Sequence, residues 1–382
     1  HQVTIGGTRR GKSKMAEAEI RYHIENKHGL ALFDPHGFLY EDVLAFATSY
    51  RYKDRVVLFN PNDPEYSVGL NFLSPNGQDP ATQAAQIMKA IFKVFGEDQS
   101  EETKPRLERW LRNLLICFIE GGLPLSDALD FLTLSNPAFR KSIIQKITNP
   151  YVQLEWQEFQ AIKKRTEQEN LIESVLNRAA KLILSDQIRR IFGQIQSTID
   201  IEEIVETGKV LLVNLQPVKA SREAMQILGI LLVDQFVNYA ITRTKHQALA
   251  RPYFVFVDEA SELCSNDLPY ALQALAKYGL FFRLFFQNLE MIKKQNLAGY
   301  FDNVMSNCDT KIAFKTSYKD AEELIGDFFA GKIRGDRVKL DIMRYDILPR
   351  ETTRQIISTT EGETITESES ETEGTVDSQG DF

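Results

Sequence analysis

Near its beginning the chain reads Gly6-Gly7-Thr8-Arg9-Arg10-Gly11-Lys12-Ser13, which fits the pattern G-x-x-x-x-G-K-[ST] of a phosphate-binding loop. In such a loop the backbone N–H groups cradle the α- and β-phosphates, the lysine reaches the β- and γ-phosphates, and the serine hydroxyl binds Mg²⁺. We therefore expect every residue of this stretch to contact ATP, with Lys12 also assisting catalysis and Ser13 also binding the metal. The alternative is a chance match to the pattern.

The sequence on both sides of the loop has the character that the loop requires. Residues 2–5 read as a short strand, and residues 12–26 carry apolar side chains at helical spacing. A helix that starts at Lys12 points its N-terminus at the phosphates, where backbone N–H groups attract anions. The order of strand, loop and helix favours a working triphosphate site over a chance match.

A second motif supplies the carboxylates that such a site needs. It reads Tyr253-Phe254-Val255-Phe256-Val257-Asp258-Glu259. The continuous apolar run predicts a strand buried on both faces, and an open α/β sheet binds its ligands at the carboxyl ends of its strands. We expect Asp258 to bind Mg²⁺ and Glu259 to polarise the attacking water. The alternative is an ordinary buried strand that ends in an acidic turn.

Composition indicates an ordinary globular protein. The chain has 382 residues, is 43% hydrophobic, and contains three widely spaced cysteines, which exclude a disulfide framework and predict buried thiols in a reducing compartment. It has no run of 18 apolar residues and no leader sequence. Because the first strand starts directly after His1, without an initiator Met, we expect a missing N-terminal segment. A membrane anchor would lie there, and the present chain would be a cytoplasmic domain.

The negative charge of the chain is concentrated at its C-terminus. The formal net charge is −8, and residues 361–382 hold eight acids and no Lys or Arg, so the rest of the chain is neutral. A Thr-, Ser- and Glu-rich segment of this kind is too polar to fold on its own. We predict a disordered, solvating tail over residues 351–382; a tail that binds a partner or inhibits the enzyme is the alternative.

Strand and helix patterns alternate along the chain, except in the middle. Seven apolar segments read as strands: residues 3–5, 30–33, 56–59, 210–215, 254–257, 281–286 and 311–314. Between the third and the fourth, the spacing of apolar residues is helical, as in residues 82–95, 106–120 and 171–192. We predict an α/β domain with a mostly parallel sheet, formed by residues 1–79 and 200–350, and an all-α domain inserted at residues 80–199.

Basic residues in the predicted insertion have two interpretations. Three arginines recur at every third position beside Trp110: Arg106, Arg109 and Arg112. They could form a ridge for nucleic acid or a partner, but we favour a solvated face balanced by Glu102 and Glu108. We expect Trp156 to be a core residue rather than a platform for a base.

Taken in order, these motifs resemble the HerA and FtsK superfamily of DNA-pumping ATPases, and most of all the conjugative DNA-transfer coupling proteins of type IV secretion systems. The resemblance spans residues 1–350. It rests on the phosphate-binding loop, Leu-Phe-Asp-Pro-His-Gly at 32–37, Leu-Phe-Asn-Pro at 58–61, Gly-Leu-Asn-Phe-Leu at 69–73, the helical insertion, residues 208–215, residues 257–260, Ala-Lys-Tyr-Gly at 276–279, and Gln287.

This resemblance implies a RecA-like motor domain assembled as a ring, usually a hexamer, that hydrolyses ATP at subunit interfaces and threads DNA through a central channel. It also implies a relaxase and secretion-channel proteins as partners, and transmembrane helices upstream that attach the protein to the inner membrane. Two alternatives remain open. One is a HerA-like DNA-processing or genome-packaging ATPase, and the other is a type IV secretion ATPase that moves protein.

The resemblance assigns a γ-phosphate sensor to Gln287. The residues themselves agree, because an amide at the carboxyl end of the apolar strand 281–286 can orient water; a polar residue that merely caps the strand is the alternative. The chain departs from the family pattern at Arg9-Arg10, where small residues are usual, and at Ala276-Lys277, where a basic pair is usual. The arginine finger therefore stays unassigned, and the candidates for it are Lys277, Arg189 and Arg190.

Overall fold

A computed structural model describes residues 1–49, 52–63, 65–75, 77–95, 104–183, 185–218, 220–293, 299–317, 320–321 and 324. Residues 1–316 form one compact unit, and residues 317–382 form another, of which few residues are described. The predicted acidic tail and Glu102 lie outside the described residues. The fold described below is that of the first unit.

Within the described residues, the seven predicted strands are all present and form one parallel sheet in the order β3-β4-β2-β5-β6-β1-β7. The strands are β1 (Gln2–Ile5), β2 (Gly29–Asp34), β3 (Val56–Phe59), β4 (Val210–Asn214), β5 (Tyr253–Val257), β6 (Leu280–Phe286) and β7 (Thr310–Ala313). The α/β fold class with a parallel sheet is confirmed.

Helices cover both faces of this sheet. Those of the α/β part are α1 (Lys12–Glu25), α2 (Phe38–Ala47), α10 (Ile201–Glu206), α11 (Arg222–Ala240), α12 (Lys245–Ala250), α13 (Ala260–Leu263), α14 (Leu268–Leu275), α15 (Leu289–Lys293) and α16 (Tyr300–Asn307). Successive side chains of a strand point to opposite faces. On β2, Leu32 packs in the cluster formed with α1 and α2, whereas the Phe33 ring contacts Phe236 of α11. Burial on both faces explains why these strands are almost purely apolar.

The stretch predicted to be an insertion is helical throughout its described part. It contains α3 (Pro80–Phe95), α4 (Lys104–Gly121), α5 (Ala128–Leu132), α6 (Pro137–Ile144), α7 (Pro150–Ala161), α8 (Arg165–Ile183) and α9 (Asp186–Phe192). The helical spacing predicted over residues 171–192 is divided between two helices, α8 and α9. Ser185 has an extended backbone, with ψ 125°, and begins a second helix, although the apolar spacing continues across the break.

Aromatic packing forms the core of this helical part. Trp156 is fully buried, and its ring contacts Trp110, Phe131 and Phe159 with centroids 4.9 to 5.5 Å apart. Its indole N–H donates to the carbonyl of Asn113, which satisfies the one polar atom of the side chain. The prediction that Trp156 is a core residue is confirmed.

The three arginines of α4 are exposed, as expected for a solvated face, but the balancing acid differs from the prediction. Arg109 Nε pairs with Glu155 Oε2 of α7 at 2.8 Å, and Arg106 donates to the carbonyl of Asn170. Sequence spacing suggested an acidic partner for Arg109 on the same helix. The packing of α4 against α7 supplies Glu155, from a different helix, instead.

The cysteines are free and buried, so the prediction of core thiols is confirmed. Among the described residues, no helix is both long enough and apolar enough to cross a membrane.

Candidate nucleotide-binding site

The predicted site residues meet at the carboxyl edge of the sheet. Ile5 of β1 pairs with Phe286 of β6, and Val257 of β5 pairs with Leu284 of β6 and with Phe33 of β2. The residues that follow these strands therefore lie side by side, although those after β1 and β2 are separated from those after β5 and β6 by more than 200 positions in the sequence. These are the phosphate-binding loop, Gln287, Asp258 with Glu259, and Asp34.

Two backbone hydrogen bonds fix the start of the loop, one to the end of β6 and one to the residues that follow β7. Gly6 N donates to Phe286 O and Gly7 N donates to Lys315 O, both at 3.2 Å. A Cβ on Gly6 would lie 2.5 Å from the Cβ of Phe314, which is closer than two carbon atoms can approach. Glycine at this position is therefore required by packing as well as by the motif.

The Lys12 side chain is folded into the loop. It is 7% exposed, and its Nζ donates to Gly6 O at 2.7 Å. This carbonyl holds the ammonium group at the N-terminus of α1, close to the backbone N–H groups that cradle phosphates in such loops. Ser13, Thr8, Arg9 and Arg10 are exposed around it, so they are accessible to a ligand.

Asp258 is a buried carboxylate at the end of β5. Its backbone N donates to Phe33 O, which ties β5 to β2 at the site. Burial raises the pKa of Asp258 to about 7, repulsion from Glu259 and Asp34 adds to this effect, and Lys12 and His36 oppose it. A carboxylate in this position is stabilised by any cation that joins the site.

Glu259 is buried beside Asp258 but has different surroundings. Its Oε1 accepts a hydrogen bond from Gln287 Nε2 at 2.7 Å and lies 3.7 Å from His36 Nε2. Burial acts to raise the pKa of Glu259, but the nearby His36 imidazole and the hydrogen bond from Gln287 outweigh it and lower that pKa below its usual value. Glu259 is therefore ionised at neutral pH, as a group that accepts a proton must be. Its backbone is left-handed, with φ 49°, a strain that is typical of functional sites.

Asp34 and His36, which were not predicted as site residues, lie in the same site. Asp34 is buried, and its two oxygens accept hydrogen bonds from the backbone N of His36 and of Tyr40, both at 2.8 Å. These bonds fix the turn into α2, and the carboxylate of Glu259 raises the pKa of the neighbouring His36. The signal was present in the sequence, because residues 30–36 show the same pattern of apolar strand followed by polar residues as residues 253–259.

A cavity of about 180 Å³ adjoins His36 at the carboxyl end of β4. Its lining includes Pro35, Leu215, Arg222 and Glu262. Arg222 pairs with Glu262 of α13, and Gln226 Nε2 donates to the same carboxylate. The charge of Arg222 is thus already paired within the chain.

The candidates for the arginine finger lie away from the phosphate-binding loop of their own chain. Lys277 is in the 3₁₀ turn Ala276–Tyr278, which leads into β6, so it lies at the amino edge of the sheet, about 20 Å from the carboxyl edge across a seven-residue strand. Arg189 pairs with Asp186, and Arg190 lines a cavity of about 230 Å³ with Pro61, beyond the outer strand β3.

Comparison with known proteins shows what this architecture resembles. Bacterial conjugative coupling protein TrwBΔN70 superposes with a TM-score of 0.56 at 15% identity, covering 85% of this chain and 72% of that chain. The chain therefore shares the fold of this coupling protein. The plasmid coupling protein TrwB in complex with ADP and Mg²⁺ gives a TM-score of 0.52 at 15% identity, with coverages of 85% and 73%. VirB4 of Thermoanaerobacter pseudethanolicus gives 0.56 at 14% identity, with coverages of 88% and 82%.

A sequence comparison matches one segment of the chain to a known family. Residues 252–332 match the family described as the TraM recognition site of TraD and TraG. The matched segment begins just before β5 and contains Asp258, Glu259 and Gln287. No curated protein matches the sequence. The resemblance inferred from the order of the motifs is confirmed at the level of the fold.

Proposed function

We propose that this chain is the motor domain of a conjugative or type IV secretion coupling protein, which hydrolyses ATP to pump DNA. The observation that carries the proposal is the contact between Gln287 and Glu259 beside the Lys12 loop. It joins a water-orienting amide to an ionised carboxylate at the edge where the loop would hold the γ-phosphate. Nucleotide complexes of TrwB, which has the same fold, support this use of the site.

Each residue has a chemical role in the proposed reaction. Lys12 exchanges its bond with Gly6 O for bonds to the β- and γ-phosphates. Gln287 orients the water, and Glu259 accepts its proton as the oxygen attacks the γ-phosphorus. His36 Nε2 lies 3.7 Å from the Glu259 carboxylate, and we propose that His36 positions that carboxylate.

The site also fits Mg²⁺, with Ser13 and Asp258 as its protein ligands. Among the described residues, no three His, Cys, Asp or Glu side chains are grouped as a metal site on their own. This agrees with Mg²⁺, which takes one or two protein oxygens and completes its shell with phosphate oxygens and water. The raised pKa of Asp258 marks a buried carboxylate that gains from a cation. When bound, Mg²⁺ would neutralise phosphate charge; the protein's own part is to hold it between α1 and β5.

We further propose that the chain works as a ring of copies, usually six, with helices at residues 80–199 as an inserted domain. In a ring, Lys277 at the amino edge of one sheet could reach the carboxyl edge of the next, which would explain a finger that is distant from its own loop. Coupling proteins and the TraM-recognition family support DNA, a relaxosome protein and a secretion channel as partners. The cytoplasmic face of a membrane, with an anchor in an upstream segment, is the location that we propose.

A second candidate function is a type IV secretion ATPase that moves protein. The TM-scores to VirB4 and to TrwB are equal, so the fold alone does not separate the two functions. Residues 1–360 have no net charge, so overall charge does not attract the chain to DNA. A basic lining of the channel alone would be enough to bind the phosphates of DNA.

Stimulation of ATP hydrolysis by DNA separates the two functions. We expect the purified chain to hydrolyse ATP faster when single- or double-stranded DNA is added, and the gain to fall as salt is raised because phosphate contacts release counterions. Lys12→Ala serves as the control, and it should lose activity with and without DNA. A hydrolysis rate that neither form of DNA changes would contradict the DNA pump and favour the protein-moving ATPase.

A further inference from the structure

The Arg9 backbone has a conformation that an arginine rarely adopts. Its φ is 61°, in the left-handed region that glycine enters freely and other residues enter at a cost. Among the described residues, Lys27 and Glu259 are the other non-glycine residues with positive φ. Glycine would serve the backbone of the loop better, so the side chain of Arg9 is the feature that needs an explanation.

The charge of Arg9 has no partner within the described part of the chain. Arg9 and Arg10 are exposed, and no carboxylate among the described residues pairs with either of them. Arg222, by contrast, is held by Glu262. Two unneutralised guanidinium groups therefore border the loop that already contains Lys12, and this part of the site calls for an anion.

The two arginines are not equivalent. The Arg10 Cγ lies 3.7 Å from the position that a Cβ on Gly7 would take, so the stem of Arg10 lies against the start of the loop. Arg10 also lacks the positive φ of Arg9. Arg9 is thus the residue at which the chain tolerates strain in order to keep a guanidinium group at the mouth of the loop.

We propose that Arg9 is a catalytic residue that acts on the ATP bound by its own subunit. Its guanidinium binds the β- and γ-phosphate oxygens and stabilises the charge that develops there during hydrolysis. This inference rests on the proposed function, because it needs ATP as the substrate. Arg9 would be a cation from the same subunit as the ATP, in addition to the cation that Lys277 of a neighbouring subunit could supply.

The step that Arg9 assists is ordinary phosphoryl transfer to water. A bond forms between the water oxygen and the γ-phosphorus, and the bond from the γ-phosphorus to the bridging oxygen breaks. The electron pair of that bond stays on the oxygen of ADP, and the proton of the water passes to Glu259 and then to solvent. Negative charge grows on the ADP oxygens as the bond breaks, and an arginine placed there lowers the barrier.

The test uses Arg9→Gly, which removes the guanidinium and relieves the backbone at the same time. We expect kcat to fall by about 1,000-fold, at the low end of what an arginine finger contributes, with a much smaller change in KM. Affinity for ADP alone should fall only several-fold, because one contact to the β-phosphate is lost, whereas affinity for ADP with aluminium fluoride, which mimics the transferring phosphoryl group, should fall with kcat. The melting temperature should not fall, because glycine suits this φ.

Lys27→Gly is the matched control, since Lys27 is exposed at the end of α1 with φ 63°. It should leave the melting temperature at least as high and kcat unchanged. Arg9→Lys should recover only part of the activity, because an ammonium group cannot bind two phosphate oxygens as a guanidinium does.

Three results would overturn the role of Arg9. The first is a kcat that Arg9→Gly leaves intact. The second is an equal loss of affinity for ADP and for its aluminium fluoride complex, which would make Arg9 a binding group only. The third is recovered activity when Arg9→Gly and Lys12→Ala chains are mixed, because only an arginine that acts on a neighbour can be restored in this way. If the unmodified chain neither binds nor hydrolyses ATP, the proposed function itself fails. That outcome is measured on the unmodified chain, so it is distinct from any result obtained with the Arg9 variants.

Discussion

Gln287 donates a hydrogen bond to Glu259, with Nε2 and Oε1 2.7 Å apart. The two residues follow neighbouring parallel strands, β6 and β5, and the bond crosses between the ends of those strands. It holds the carboxylate in one orientation and lowers its pKa. The amide that can orient a water molecule is therefore also the group that keeps the proton acceptor in place.

Replacing this amide should slow hydrolysis without preventing ATP binding. In Gln287→Leu, Glu259 loses a hydrogen-bond donor that favours its ionised form, and the water loses an orienting group. We expect kcat to fall by about 100-fold, within the range typical of general-base catalysis, while KM for ATP changes little. Steady-state kinetics would show this. Gln157→Leu on the exposed surface of α7 is the control, and equal kinetics for both variants would contradict the role of Gln287.

Lys12 and Glu259 should separate ATP binding from ATP turnover. Lys12→Ala removes the charge that contacts the β- and γ-phosphates, so nucleotide binding should be lost. Glu259→Gln keeps the shape of the side chain but cannot accept a proton, so ATP should still bind while turnover falls by about 100-fold or more. Binding of a fluorescent ATP analogue and release of phosphate measure the two effects. Normal turnover in Glu259→Gln would refute its assignment as the proton acceptor.

Gly6→Ala should destabilise the whole fold. The added Cβ would lie 2.5 Å from the Cβ of Phe314, and neither atom can move without moving backbone. We expect a loss of about 1–3 kcal/mol in the free energy of unfolding, as for other overpacked sites, measured by urea denaturation. The control is Gly121→Ala, where the nearest atom would be Ile143 Cγ2 at 3.4 Å. A loss equal to that of the control would show that the loop can yield at Gly6.

The stability of the protein should carry a pH dependence that originates at Lys93. This side chain of α3 donates to the carbonyl of Cys264 at 2.6 Å, and burial lowers its pKa to about 8. Between about pH 8 and pH 10.5 the unfolded chain then binds more protons than the folded chain, so the contribution of Lys93 to stability rises with pH. Below pH 8 the burial of its charge opposes folding in full.

Comparison with Lys93→Met isolates this contribution from those of the tyrosines and other lysines. The free energy of unfolding of the unmodified chain should rise relative to that of Lys93→Met as the pH goes from 8 to 10.5, measured by urea denaturation at fixed ionic strength. A difference that stays constant with pH would mean that Lys93 titrates normally in the folded state. If the free energy of unfolding of the unmodified chain instead fell relative to that of Lys93→Met as the pH rises, the pKa of Lys93 in the folded state would lie above its ordinary value.

The sequence by itself determined the seven strands, the phosphate-binding loop and the acidic motif. It could do so because a strand buried on both faces must be apolar throughout, and because glycine, lysine and serine at fixed spacing have few other uses. The order of these motifs was also enough to indicate the fold. Helix ends were less certain, as the break at Ser185 shows, because apolar spacing does not register where one helix stops and another begins.

The tertiary structure alone decided which residues share the site and which do not. Asp34 and His36 became part of it because β2 lies beside β5 in the sheet, although the two strands are distant in sequence. Lys277 lies away from the loop because it precedes β6, whereas Gln287 follows β6 and so lies at the opposite edge of the sheet. The edge of a parallel sheet at which a residue lies depends on strand order and direction, and neither is written in local sequence.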